Sequence, residues 1–190
     1  MTAVQASIEE DKRTGMLGER HDTACMSSLD YRSLADSITA KCGDLLSHGG
    51  TVMDLSCGKG ELTALLLPSA GGVCHFVAFD ANQENVDECQ DRFRWLAHQG
   101  FVQVSNRSLA SDLPCVANSL TIEEFGLGGL DEHRISAVLS QSKRALQKGG
   151  AIILMERNDR SWIELLREAG FREAERIWRR GPFEALLAVK

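Results

Sequence analysis

Short apolar strands alternating with helical runs predict an α/β fold: a mostly parallel sheet with helices on both faces. Three observations carry this expectation. Strand-length apolar runs recur at residues 51–55, 75–79, 120–124 and 151–155. A Gly-rich turn, Ser56-Cys57-Gly58-Lys59-Gly60, joins the first of them to a helix-forming stretch. The chain closes with two β-like runs, residues 171–178 and 183–189, around Arg179-Arg180-Gly181-Pro182, which suits a hairpin and adds an antiparallel strand.

The elements follow in order. Residues 1–28 are polar and weakly periodic and read as an N-terminal arm, flexible or folded over the active site, ahead of one domain at 29–190. Leu34, Ile38, Cys42 and Leu45 recur at helical spacing within 29–46, and His48-Gly49-Gly50 ends that helix before the first strand. A short helix over 61–67 stops at Pro68, which cannot continue it. The second strand, 75–79, ends at Asp80. Val86, Cys89, Phe93 and Leu96 then mark a helix that runs to Gly100. A third strand is expected at 101–104, a polar loop after it, and the fourth strand at 120–124. Ile135, Val138, Leu139 and Leu146 lie on one face of a helix over 131–147. Gly149-Gly150 turns into the fifth strand, and Ser161-Trp162-Ile163-Glu164 reads as a capping box opening a helix that closes at Gly170.

Composition narrows the function classes. With 190 residues, 43% hydrophobic and 25% charged, the chain can bury a substantial core as one domain. A net charge of −6 supplies no basic excess for phosphate neutralisation, which argues against a general nucleic-acid binder. No apolar run reaches membrane-spanning length, and the first 20 residues lack the apolar centre of a secretory signal. The six cysteines (Cys25, Cys42, Cys57, Cys74, Cys89 and Cys115) are scattered singly, without metal-ligand spacing, so no metal site and a reducing cytoplasm are expected.

In an open α/β sheet, ligands bind beyond the carboxyl ends of the strands where strand order reverses. The first strand ends in the Gly-rich turn, and its expected neighbour ends at Asp80, 20 residues beyond Gly60. A carboxylate at that spacing can accept from both ribose hydroxyls. The turn lacks G-x-G-x-x-G and the P-loop pattern, which sets aside a nicotinamide dinucleotide, and Glu61 at the helix start would repel a pyrophosphate. A nucleoside bearing an ammonium and a sulfonium suits an acid-rich rim better.

At these residues the chain resembles class I S-adenosylmethionine-dependent methyltransferases. "VMDLSCGKGEL" is similar to their first motif, and "HFVAFDAN" to the second, with its acid ending the second strand. "SDLPCVANSL" is similar to the Asp-Leu-Pro loop before the fourth strand, and "ALQKGGAIILME" to the run into the fifth. "FGLGGL" is similar to the fourth-strand end of ubiquinone/menaquinone-biosynthesis methyltransferases. The resemblance covers residues 29–190 and implies a Rossmann-like, seven-stranded sheet and methyl transfer from S-adenosylmethionine to a small-molecule nucleophile. It also assigns roles. Asp54, Ser56, Gly58 and Gly60 would surround the methionine moiety, Asp80 would hold the ribose, Ala81 and Asn82 would flank the adenine, and Asn106 would meet its edge. Glu124 and Phe125 would face the methyl group. The catalytic base, if one is needed, is open, with Glu124 and His133 as candidates. A small-molecule substrate and a homodimer are the partners expected.

Two departures from the pattern are visible. Ser56 stands where the first glycine of the motif falls, and Leu120-Thr121 stands where an acid is common. Glu123-Glu124 occupies a strand that is usually apolar; the pair is read either as an exposed strand end or as a ligand contact, one member needing a cation or solvent. Only residues 156–160 separate the fifth strand from the next helix, too few for a substrate lid, so the N-terminal arm or a partner subunit would cover the site. These departures keep a non-catalytic cofactor-binding or regulatory protein on the same fold as the alternative. Cys57 is read as structural filler although a helix start can lower a thiol pKa. Tyr31 and Trp95 are read as packing residues, Arg179-Arg180 as a solvated turn, and His21-Asp22 as part of the arm.

Overall fold

The computed structural model describes residues 26–109, 113 and 118–190. His21-Asp22, Cys25, Cys115 and most of the Asp-Leu-Pro loop lie outside the described residues. Helix α1 (Ser28–Ser47) leads into β1 (Gly50–Asp54) and α2 (Glu61–Leu66), which a 3₁₀ turn at Leu67–Ala70 extends past Pro68. Then come β2 (Cys74–Asp80), α3 (Gln83–His98), β3 (Val102–Asn106), β4 (Asn118–Glu124), α4 (Glu132–Ala145) and β5 (Leu146–Arg157). Helix α5 (Trp162–Glu168) precedes the hairpin of β6 (Arg172–Arg180) and β7 (Phe183–Val189). The seven strands form one sheet in the order β3-β2-β1-β4-β5-β7-β6. Pairing is parallel from β3 through β5, and β7 runs antiparallel to both β5 and β6.

Alternation along the strands explains the layers. Val52, Phe76, Ala78, Leu120, Ile122 and Ile153 pack with Leu34, Ile38, Leu62, Leu66 and Phe93 of α1, α2 and α3. On the opposite face Met53, Phe79, Ile152 and Leu154 meet Ile135, Val138 and Leu139 of α4 and Trp162 and Leu166 of α5. Strand order reverses between β1 and β4, so the crevice at their carboxyl ends is the switch point expected of an open sheet.

Several local expectations are corrected. The third strand begins and ends later than the apolar run, because its pairing with β2 continues through Asp80↔Asn106. The fifth begins at Leu146, since Asn118 pairs with it before an irregularity in the β4 register. The α1 seam closes on Leu46 rather than Leu45. Trp95 is 70% exposed, on the outer face of α3. Only Gly181-Pro182 forms the hairpin turn; Arg179 and Arg180 belong to β6, and Arg180 pairs with Asp30 at 3.0 Å.

Ser161 makes no side-chain capping bond. Helix α5 is anchored instead by Trp162, 1% exposed, whose Nε1 donates to the Arg157 carbonyl at 2.7 Å. A capping box does exist at α1, where Ser27 Oγ accepts from Asp30 N and Asp30 Oδ2 accepts from Ser27 N. Ser27→Ala is therefore expected to lower stability by about 1 kcal/mol, and Ser161→Ala by less than about 0.5 kcal/mol. Urea unfolding of the two variants checks the contrast.

Candidate functional site

The first strand delivers Asp54 and then the turn. Asp54 is wholly buried, and its Oδ2 accepts from Thr63 Oγ1 at 2.7 Å, which couples the strand end to the first turn of α2. Gly58 and Gly60 have φ of 57° and 78°, the left-handed region that suits glycine. At Gly60 a Cβ would also stand 2.6 Å from Phe93 Cε2 and 2.9 Å from Cys89 Sγ, so α3 leaves no room for a side chain. Ser56 has no positive φ, so serine occupies the first glycine position without strain.

Asp80 meets this turn from β2. Its Oδ2 accepts from Gly58 N at 2.9 Å, and its Oδ1 accepts from Asn82 N at 2.8 Å and Asn85 Nδ2 at 3.1 Å. The acid expected to meet a ribose thus also fastens the turn to the second strand end. Asn82 caps α3 through Glu84 N, with exposed Ala81 beside it. Asn106, at the end of β3, donates Nδ2 to the carbonyls of Asp80 and Ala81, at 3.3 and 3.0 Å. The turn of β1 and the ends of β2 and β3 are therefore one hydrogen-bonded unit.

The ends of β4 and β5 carry the features the sequence did not expose. Glu123 and Glu124 are both buried, at 0% and 5% exposure, which corrects the exposed-strand reading. Glu123 has no cationic partner among the described residues either: its Oε1 accepts from Gly126 N at 2.6 Å and Ser56 Oγ at 3.4 Å. On the same sheet face, Glu156 Oε1 accepts from Leu127 N at 2.8 Å and Gly128 N at 2.9 Å. Between these anchors Phe125 adopts φ 57°, unusual for a bulky residue, and packs edge-on against Phe183 at 5.3 Å. Burial pushes both carboxyls up, Glu156 to about 7 and Glu123 well above its ordinary value, with the charge of Glu156 adding to the effect on Glu123. Glu156 was absent from the sequence-derived site; its place at a strand end after an apolar run was the one signal available.

Other candidates resolve individually. His133 is exposed on the first turn of α4. Cys57 is buried with its Sγ 4.0 Å from Cys89 Sγ, and that contact and burial push its thiol up rather than down. Tyr31 packs in the core. Among the described residues there is no cluster of His, Cys, Asp and Glu able to hold a metal ion, and no helix long and apolar enough to cross a membrane.

A model of the methyltransferase domain matches residues 52–150, from β1 into β5. The chain belongs to the methyltransferase domain family. Among curated proteins, it is similar to a 2-phytyl-1,4-naphtoquinone methyltransferase of Synechococcus elongatus, 32% identical over 120 residues that cover 63% of this chain and 51% of the relative. It is also similar to the ubiquinone/menaquinone biosynthesis C-methyltransferase UbiE of Sinorhizobium fredii, 25% identical over 134 residues that cover 69% of this chain and 50% of the relative. The chain thus spans about half the length of the curated relatives it matches. Among solved structures, magnesium protoporphyrin IX methyltransferase of Synechocystis PCC 6803 with bound S-adenosylmethionine superposes with TM-score 0.65 at 21% identity, over 84% of this chain and 79% of that one. The seven-stranded methyltransferase fold is therefore shared, and the turn and Asp80 lie within the region matched by the methyltransferase model.

The buried Glu156 has a consequence for stability. A carboxyl raised on folding binds its proton more tightly in the folded state, so folding is favoured most below about 4.5 and that contribution is lost as pH rises to about 7. Relative to Glu156→Gln, the native chain is expected to lose on the order of 1–3 kcal/mol across that window. Unfolding free energies of the two proteins, measured by denaturant titration at several pH values, check both sign and size.

Proposed function

We propose that this methyltransferase domain binds S-adenosylmethionine across the carboxyl ends of β1, β2 and β4 and methylates a small-molecule nucleophile. The observation that carries the reading is the Asp80–Gly58 bond, which brings the acid and the Gly-rich turn into one site at the switch point. The donor set fits the group. Asp54 and Asp80 are buried at the ends of β1 and β2 with Glu124 at the end of β4, an acid-rich environment that favours an ammonium and a sulfonium over a phosphate.

In this reading Ser56, Gly58 and Gly60 admit the methionine portion close to the backbone, with Asp54 beneath them, and Asp80 accepts from the ribose hydroxyls. Ala81, Asn82 and Asn106 flank the adenine. The bound cofactor supplies an electrophilic methyl group. Glu124 and Phe125 stand at the β4 end, where the acceptor would be held, and much of the acceleration comes from fixing acceptor and methyl group in near-attack geometry. A base is required only if the acceptor arrives protonated, with Glu124 and His133 available for that role. Ser56 fits the first glycine position without positive φ and donates to Glu123.

An aromatic quinol-type acceptor is the first class to test. The names of the two curated relatives support it, as do Phe125 and Phe183 beside the β4 and β5 ends. The buried free thiols Cys42, Cys57, Cys74 and Cys89 support a reducing, cytoplasmic setting.

S-adenosylhomocysteine is expected to raise the melting temperature, and NAD to leave it unchanged; the reverse would sink the assignment. Asp80→Ala should weaken S-adenosylhomocysteine binding by about 1.5–3 kcal/mol through lost charge-assisted hydrogen bonds. Asp80→Asn should weaken it as well, because both carboxyl oxygens accept backbone N–H groups and an amide places its own NH₂ against one of them. Isothermal calorimetry with unchanged affinity in both variants would overturn the ribose role.

A further inference from the structure

We propose that Glu123 is a positioning residue: through Ser56 and Gly126 it ties the cofactor turn to the 125–128 loop and so sets the width of the methionine site. The inference rests on the cofactor reading above and goes beyond it, since nothing in the family motif places a carboxyl here.

The geometry is specific. One oxygen, Oε1, receives both Gly126 N at 2.6 Å and Ser56 Oγ at 3.4 Å, so a single side chain bridges the turn after β1 and the loop after β4. A Cβ on Gly126 would clash with Ser56 Oγ, with Leu109 Cδ1 at 2.5 Å and with Glu123 Oε1 at 2.6 Å, so turn, loop and the segment after β3 close on one point. Glu156 holds the next two amides, Leu127 and Gly128, from β5, so the loop is anchored from two strands. The unusual serine and the unusual acid are thereby one feature: the serine at the first glycine position supplies the hydroxyl, and Glu123 receives it.

Burial and acidic neighbours favour the neutral form of Glu123, against the two bonds at Oε1, which favour the charged one. Its Oε2 is buried and takes no hydrogen bond among the described residues. The charges facing it are acidic, Glu156 from β5 and Asp54 from β1, and Glu156 has Asp159 near it. Glu184 pairs across β7 with Glu156, and its Oε2 accepts from Arg176 Nε at 2.6 Å.

The test has two arms, one without ligand. In the ligand-free protein, amide exchange of Gly126 followed by NMR should quicken at least about tenfold in Glu123→Ala, and Glu123→Gln should recover the native rate, since its neutral amide keeps the acceptor. S-adenosylhomocysteine affinity should fall at least about fivefold in Glu123→Ala at about pH 6, with Glu123→Gln close to the native protein there. If Glu123→Ala does not fold, Ser56→Ala replaces it, with an expected loss of about threefold in affinity. Native Gly126 exchange in Glu123→Ala (or native affinity in Ser56→Ala, if it is used), or exchange in Glu123→Gln as fast as in Glu123→Ala, would overturn the proposal. A native protein that binds no S-adenosylhomocysteine at all would sink the cofactor reading, while the exchange arm still decides the bridge.

Discussion

The hydrogen bond from Gly58 N to the Asp80 carboxylate is the contact on which the rest of the site depends. It spans two parallel strands and joins a turn that only glycine can trace to a side chain that only a strand end can present. Because Asp80 also accepts from Asn82 and Asn85, it opens helix α3 at the same place. Asn106 then binds the carbonyls of Asp80 and Ala81, so β3 joins the same unit. A buried carboxylate surrounded by N–H donors is held in one position, as the ribose contact proposed for Asp80 requires.

The other half of the crevice follows a different rule. At β4 and β5 two carboxyls are buried without a cation bonded to them among the described residues, and each spends an oxygen on loop amides. Neutral acids can act this way in a dry site where a pair of charges would repel. The left-handed Phe125 is the visible cost: the chain is bent sharply between the Glu123 and Glu156 anchors and held there by its contact with Phe183. Asp80 and the turn on one side, Phe125 and the buried carboxyls on the other, are the groups between which the proposed cofactor and acceptor would lie.

Much of this was legible in the sequence, and for identifiable reasons. The strands ending at Asp54 and Asp80 were visible because apolar runs gave way to acid or glycine, and the order of motifs predicted the sheet that is observed. Strand ends were less legible where register, rather than hydrophobicity, extends them, as at Asn106 and Leu146. The Ser161 capping box failed because Trp162 already anchors that helix through its indole, and Trp95 failed because helical spacing does not say which face is covered. The burial of Glu123 could not be read at all. It depends on Ser56, 67 residues away in sequence, and on loop amides whose direction is set by the Phe125 bend.

The central claim is that the turn at 56–60 and Asp80 together form the cofactor site. A crystal structure of the protein with S-adenosylhomocysteine tests it most directly. The account predicts the homocysteine portion against Ser56, Gly58 and Gly60, both ribose hydroxyls within hydrogen-bonding distance of Asp80, and the sulfur facing Phe125. A ligand seated elsewhere, or one whose ribose leaves Asp80 with its protein donors alone, would contradict it.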